Sequence, residues 1–242
     1  MFKFKILNVC MWLVRVTNSM LKMCSLSNGL CGKIFCDFRR APSKAKALQS
    51  PNLVKGESCT VNFKSMEACK LGIGRYPDFE YNALGGKSRG LATMVADDDS
   101  KYKVVFDLET LYVPPLTSET TRFLGLPLPP LLKIEIVPLL FEGMINMASG
   151  EAELEFDANF IFSVGRMYRS PALFVKTVLT TEESKKMIRS GRGARIGEGG
   201  VCKLVGIATV EPVNDLFMDN FLFLPTECFA SLNAHLTFQN DD

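Results

Sequence analysis

The stretch AELEFDANFIF, residues 152–162, decides the fold class. Glu153, Glu155, Asp157 and Asn159 alternate with Leu154, Phe156, Ala158, Phe160 and Phe162, a period of two that puts these polar side chains on one face of an extended chain and these apolar ones on the other. At ~3.3 Å per residue this strand is expected to run about 35 to 40 Å, and strands of that length are housed most readily in a barrel or a strongly coiled sheet. The parity recurs on both sides. Tyr102, Val104, Phe106 and Leu108 alternate with Lys101, Lys103, Asp107 and Glu109, and Ala230, Leu232, Ala234, Leu236 and Phe238 alternate with Ser231, Asn233, His235 and Thr237. Shorter candidate strands are 60–64, 91–96, 132–137, 142–147, 172–180 and 201–211.

Turn chemistry joins these runs. Asp97, Asp98, Asp99 and Ser100 carry side chains that bond local backbone, as do Ser149 and Gly150, so the strands on either side should form hairpins and pair antiparallel. Two short helices are expected. Thr180 and Glu183 have capping-box spacing, with Lys185, Lys186 and Arg189 toward the end and Gly191 as the stop. A second should start at Asn214 and end before Pro225, with Phe217 and Phe221 on one face. Pro114, Pro115, Pro127, Pro129 and Pro130 mark 113–131 as a long connection that is no central strand. The expected fold is therefore a mainly β domain, residues 51–242, an antiparallel β-barrel or β-sandwich with one or two short helices.

Charge divides the chain differently. Residues 1–50 carry nine Lys/Arg and one acid, Asp37, whereas residues 51–242 carry 19 basic and 25 acidic side chains, so a net charge of +2 conceals parts of +8 and −6. A basic, hydroxylated, nearly acid-free leader has the composition of an organelle transit peptide. Lysine outnumbers arginine in it, which favours a chloroplast over a mitochondrion. A secretory signal is the competing reading, because Lys3 and Lys5 precede the apolar run 6–14, although that run is interrupted by Asn8 and closed by Arg15. A folded basic arm is the third. Four of the eight cysteines lie in this leader. Cys59, Cys69, Cys202 and Cys228 lack Cys-x-x-Cys spacing and sit in apolar surroundings, as buried thiols do in a reducing compartment. No later stretch reaches the ~18 to 20 apolar residues of a spanning helix, so no transmembrane segment is expected.

Signatures of chemistry are sparse. Gly85-Gly86-Lys87-Ser88 resembles the end of a P-loop, but Tyr81 stands where the first glycine belongs. The run from Gly191 to Gly197 has the wrong spacing for a dinucleotide loop and reads as a mobile loop. His235, the single histidine, lies on the polar face of the last strand, and Cys228 falls on the opposite face, so the two do not make a dyad within that strand. Glu153, Glu155 and Asp157 line one strand face, as a solvated, edge-protecting row or as an acid/base set. No cofactor and no metal are indicated. One cluster stands out as a candidate ligand-binding site: Lys185, Lys186, Arg189, Arg192, Arg195 and Lys203 put six cations within nineteen residues of an acidic domain. Such a patch suits phosphate headgroups or an acidic partner. Nucleic acid is not expected, because the patch contains no aromatic on which a base could stack.

The segments Lys133-Ile134-Glu135-Ile136-Val137-Pro138, Val175-Lys176-Thr177-Val178-Leu179-Thr180, Ser190-Gly191-Arg192-Gly193 and Leu224-Pro225-Thr226-Glu227-Cys228 resemble those of an uncharacterised family of plant chloroplast proteins with cyanobacterial relatives, over about residues 130–238. The resemblance implies a plastid location and no catalytic residue. The functional expectation is a plastid binding or accessory protein that engages a lipid, a pigment or a membrane-associated partner. The alternative is a small-barrel enzyme acting on an apolar plastid metabolite, with carboxylates and His235 moving protons. An enzyme needs polar groups converging inside the barrel; a binder does not.

Overall fold

The computed structural model describes residues 58–96 and 98–240, the side chains of Asp99 and Asn240 aside. The expected leader, residues 1–50, lies outside the described residues. In chain order the elements are β1 (Ser58–Ser65), β2 (Cys69–Ile73), β3 (Phe79–Tyr81), β4 (Lys87–Val95), β5 (Asp98–Phe106), β6 (Thr121–Phe123), β7 (Leu126–Pro127), β8 (Leu132–Asn146) and β9 (Glu151–Val164). There follow β10 (Tyr168–Arg169), β11 (Leu173–Thr180), β12 (Glu183–Lys185), β13 (Ser190–Arg192), β14 (Val201–Val210), the helix α1 (Leu216–Leu222) and β15 (Thr226–Asn240).

Eight strands pair in the order β1-β4-β5-β8-β9-β11-β14-β15, and β15 returns to β1 to close a ring, antiparallel at every pair. The join between β11 and β14 is the thinnest, a single pair at Thr180↔Val205. Strand β15 is long enough to have two partners on one edge. Its Ala234–Asn240 half takes β1, and its Cys228–Ser231 half takes β2, from which β3, β6 and β7 extend as a side sheet. The mainly antiparallel β fold expected from parity is what forms, as a barrel-like ring with one short α-helix.

Parity builds the interior. Leu154 and Ala158 of β9, Val104 and Phe106 of β5, Val61 and Phe63 of β1, and Ala234 and Leu236 of β15 all point inward and are buried. Phe141 centres an aromatic group, stacked on Phe106 at 4.3 Å and edge-on to Phe63 at 5.3 Å and Phe156 at 5.7 Å. Each such pair contributes about 0.5–1.5 kcal/mol beyond its burial. The ring is therefore packed with side chains rather than open.

The runs 132–137 and 142–147 are one strand, not two. Between Pro138↔Ala158 and Leu140↔Asp157 the ladder gains an extra residue, Leu139, a β-bulge that changes the parity of β8. Ile134 points inward before it; Phe141 and Ile145 point inward after it. Gly143 lets β9 approach β8 closely, since a Cβ there would lie 2.0 Å from the Glu153 carbonyl oxygen. The β8–β9 turn is held by Asn146, whose Oδ1 accepts from Ala148 and Ser149 at 2.9 and 3.0 Å.

Helix α1 forms where Asn214 and Pro225 bracket it. Asp215 caps it by accepting the Met218 N–H at 2.8 Å, and Phe223 ends it in the left-handed region. Met218 and Leu222 are buried in a second apolar cluster with Leu173, Val175, Ala208 and Val210, beside stacked Phe217 and Phe221.

The other expected helix does not form. Residues 183–192 are the hairpin β12–β13, separate from the large sheet. Thr180 is the last residue of β11, and its hydroxyl accepts from Glu182 two residues on, a local turn in place of a helix cap. The N–H groups that a helix would have used are taken by Glu227, some forty residues away in sequence.

Candidate functional site

The cationic stretch lies on the β12–β13 hairpin, which packs against the outer face of β14 and β15. Gly191 permits the approach: a Cβ there would lie 2.4 Å from the Phe229 ring. The Lys186 N–H donates to the Arg189 carbonyl at 2.9 Å, so Met187 and Ile188 are the central residues of a tight turn. Both carboxylate oxygens of Glu227 reach this turn. Oε1 accepts from Met187, and Oε2 from Ile188 and Arg189, all at 2.9 Å. Burial raises the Glu227 pKa, but the three backbone N–H groups lower it more, and the carboxyl ends below the ordinary range. Glu227 was not among the residues that the sequence singled out. A lone acid in a strand carries no signal that a distant turn will close on it.

The six cations separate into different environments. Arg189 is 14% exposed and fully engaged: Nε donates to Gly74 O at 2.7 Å, Nη1 pairs with Asp78 at 2.5 Å, and Nη2 meets the Ile73 and Tyr76 carbonyls. Arg195 bridges Glu182 at 2.7 Å and Glu151 at 2.6 Å, with Nη1 also 3.4 Å from the Ser149 carbonyl. These two guanidiniums hold the hairpin and the following segment onto the sheet. Lys185 and Arg192 are exposed, with Arg192 opposite Glu183 across the hairpin. Lys186 is exposed and donates to the Thr209 hydroxyl at 2.9 Å. Lys203 is half-buried, bridged through its backbone to Ala194. The segment expected as a mobile loop is bonded along its length: Gly193 to Glu182, Ile196 to Gly150, and Gly197 to Val201.

The other candidates point outward. Lys176 lies 3.7 Å from Glu155 and 3.6 Å from Asp157, so this row of carboxylates is a charge-paired outer face. His235 also faces out, its Nε2 donating to the Gly199 carbonyl at 2.6 Å. It borders an open depression of about 600 Å³ lined by Met147, Ile196, Gly197, Glu198, Gly199, Gly200, Leu236, Thr237 and Phe238. Cys228 faces the second apolar cluster, and burial pushes its thiol up to about 11, as it does that of Cys202. Cys69, Cys202 and Cys228 are free thiols. Among the described residues no group of three metal-ligating side chains converges, and no helix is long and apolar enough to cross a membrane. No protein-family model, no curated protein and no solved structure matches the chain.

Proposed function

We propose that the protein is a plastid binding or accessory protein that engages an anionic or apolar ligand, such as a lipid or pigment, or a membrane-associated partner, and does so through its exterior. The observation that carries this reading is the packed interior. Phe63, Phe106, Phe141 and Phe156 fill the ring with Leu154 and Leu236, while the carboxylates and histidine considered for proton transfer face outward onto Lys176 and the Gly199 carbonyl. Catalysis inside the ring would need polar groups converging on enclosed space. Binding on the outside needs a shaped, charged surface, and the β12–β13 hairpin supplies one. The plastid assignment rests on the basic composition of residues 1–50 and on the chloroplast-family resemblance.

Fractionation of leaf tissue expressing the full chain with a C-terminal tag tests the reading. The protein is expected in plastids, on their membranes, and released by 1 M salt, where the Debye length falls to about 3 Å. Recovery from another compartment, or only from the soluble phase of plastids, overturns it.

A further inference from the structure

The turn of the β12–β13 hairpin carries Met187 and Ile188 at its two central positions, where Gly, Asn, Asp and Ser are the usual residues. Met187 is 98% exposed and Ile188 45%. Single exposed apolar residues are ordinary on protein surfaces. This pair differs because the protein holds it in place. Glu227 binds three successive N–H groups of the turn, and Arg189, the residue that ends it, is clamped by Asp78 and by the carbonyls of Ile73, Gly74 and Tyr76. A turn that only reversed the chain would need neither. Clamping fixes the backbone in advance, so less ordering cost remains when the two side chains meet a partner.

The surroundings identify that partner. Lys185 and Lys186 precede the apolar pair and are exposed, while two acids that reach this end of the hairpin, Asp78 and Glu227, are occupied by Arg189 and by the turn itself, and Glu183 stands opposite Arg192. Phe223 is a further exposed aromatic beside the anchor of Arg189: its ring lies 6.2 Å from that of Tyr76, whose carbonyl receives Arg189. The shape is convex, a projecting apex flanked by lysines, rather than a groove that would enclose a peptide. Lysine is a compact point charge on a flexible stem, suited to headgroups of variable position, and its stem can lie along apolar surface while the ammonium stays in water.

We propose that this turn docks the protein on an anionic lipid bilayer. Met187, Ile188 and Phe223 enter the boundary between headgroups and acyl chains, and Lys185 and Lys186 meet the headgroup charges. This inference rests on the reading that the protein binds a lipid surface, and it assigns which part does so. It also displaces the weight from Arg189 and Arg195, whose guanidiniums are already committed to holding the fold.

The test is flotation of the full chain with vesicles of equal parts phosphatidylglycerol and phosphatidylcholine, and with phosphatidylcholine alone. Wild type is expected to float with the anionic vesicles and to lose that binding as salt rises. The double variant Met187→Ser/Ile188→Ser should bind about a hundredfold more weakly and Lys185→Gln/Lys186→Gln about thirtyfold. Leu91→Ser, which removes a comparably exposed apolar residue from β4, should bind as wild type does. A Trp12→Phe/Met187→Trp double variant, whose one indole sits on the turn, gives a signal independent of any loss of folding, because its emission should move to the blue when anionic vesicles are added. Wild-type binding that survives in the Met187/Ile188 variant, or an unshifted Met187→Trp emission with binding intact, overturns this assignment while leaving the lipid-surface reading in place. Wild type that floats with neither vesicle overturns both. Self-association that depends on Met187 and Ile188, without vesicle binding, would give the turn to a second copy of the chain and also overturn it.

Discussion

Deleting one residue from β8 tests whether the bulge reconciles its two halves. Pro138 faces inward and Leu140 outward, with Leu139 inserted between them. Removing Leu139 leaves inward followed by outward, so the ladder becomes regular and every other residue of β8 keeps its face. Leu139 is itself 45% exposed, and its loss forfeits about half the burial of a leucine side chain, ~1 kcal/mol. Removing Glu142 instead places inward Phe141 directly before inward Gly143; dissolving the bulge is the smallest repair, and it keeps Ile134 and Ile145 inward but turns Phe141 outward and Leu140 inward. Exposing Phe141 forfeits about 1.5–3 kcal/mol of burial, and its three ring contacts with Phe63, Phe106 and Phe156 add about 0.5–1.5 kcal/mol each, offset by about 1 kcal/mol as Leu140 turns inward. Turning over a whole half instead is no cheaper, since it exposes Ile145 and buries the Asn146 amide, or brings Lys133 and Glu135 into the interior. The expected difference between the two deletions is about 2–5 kcal/mol, or about 4–20 °C in Tm for a domain of this size. Urea unfolding of the full chain, followed by far-ultraviolet circular dichroism, reads it as the change in midpoint at constant slope. Equal destabilisation by the two deletions would refute the bulge as the device that keeps β8 in register.

A point-substitution pair examines the same parity in β9: Leu154→Ala should cost about 3–4 kcal/mol, because the site is closed on all sides, while Glu155→Gln should stay within roughly ±0.5 kcal/mol, as its pair with Lys176 is solvent-exposed; a reversed order in denaturant melts would mean the faces are exchanged. Glu227 has its folded pKa depressed, so its contribution to stability is fully present above the ordinary glutamate range and is lost as pH falls through the depressed folded value. The amide protons of Met187, Ile188 and Arg189 should therefore titrate together below that range in NMR spectra, and Glu227→Gln should abolish the transition; three independent midpoints would remove the carboxylate from the turn.

Most of the ring was legible in the amino-acid sequence because a two-residue period needs only local order. Wherever one face of a strand is buried and the other wet, the alternation is written directly into the residues, as in 152–162, 101–109 and 230–238. Helix α1 was legible for the same reason, since its bracket, Asn214 and Pro225, acts on its own neighbours; the observed cap is Asp215, one residue further on. The chain could not disclose what depends on distant partners. The short strands β2, β3, β6 and β7 carry too few residues to show a period, and they exist because the Cys228–Ser231 half of β15 offers an unpaired edge. The 183–192 segment has the local marks of a helix, yet Glu227 and Arg189, bonding across 38 to 116 positions, make a clamped hairpin more favourable. The candidate site divides along the same line. Six cations close in sequence were visible at once, but which of them are occupied by carboxylates and carbonyls, and which stand beside an exposed apolar turn, is set by contacts that only the folded sheet brings together.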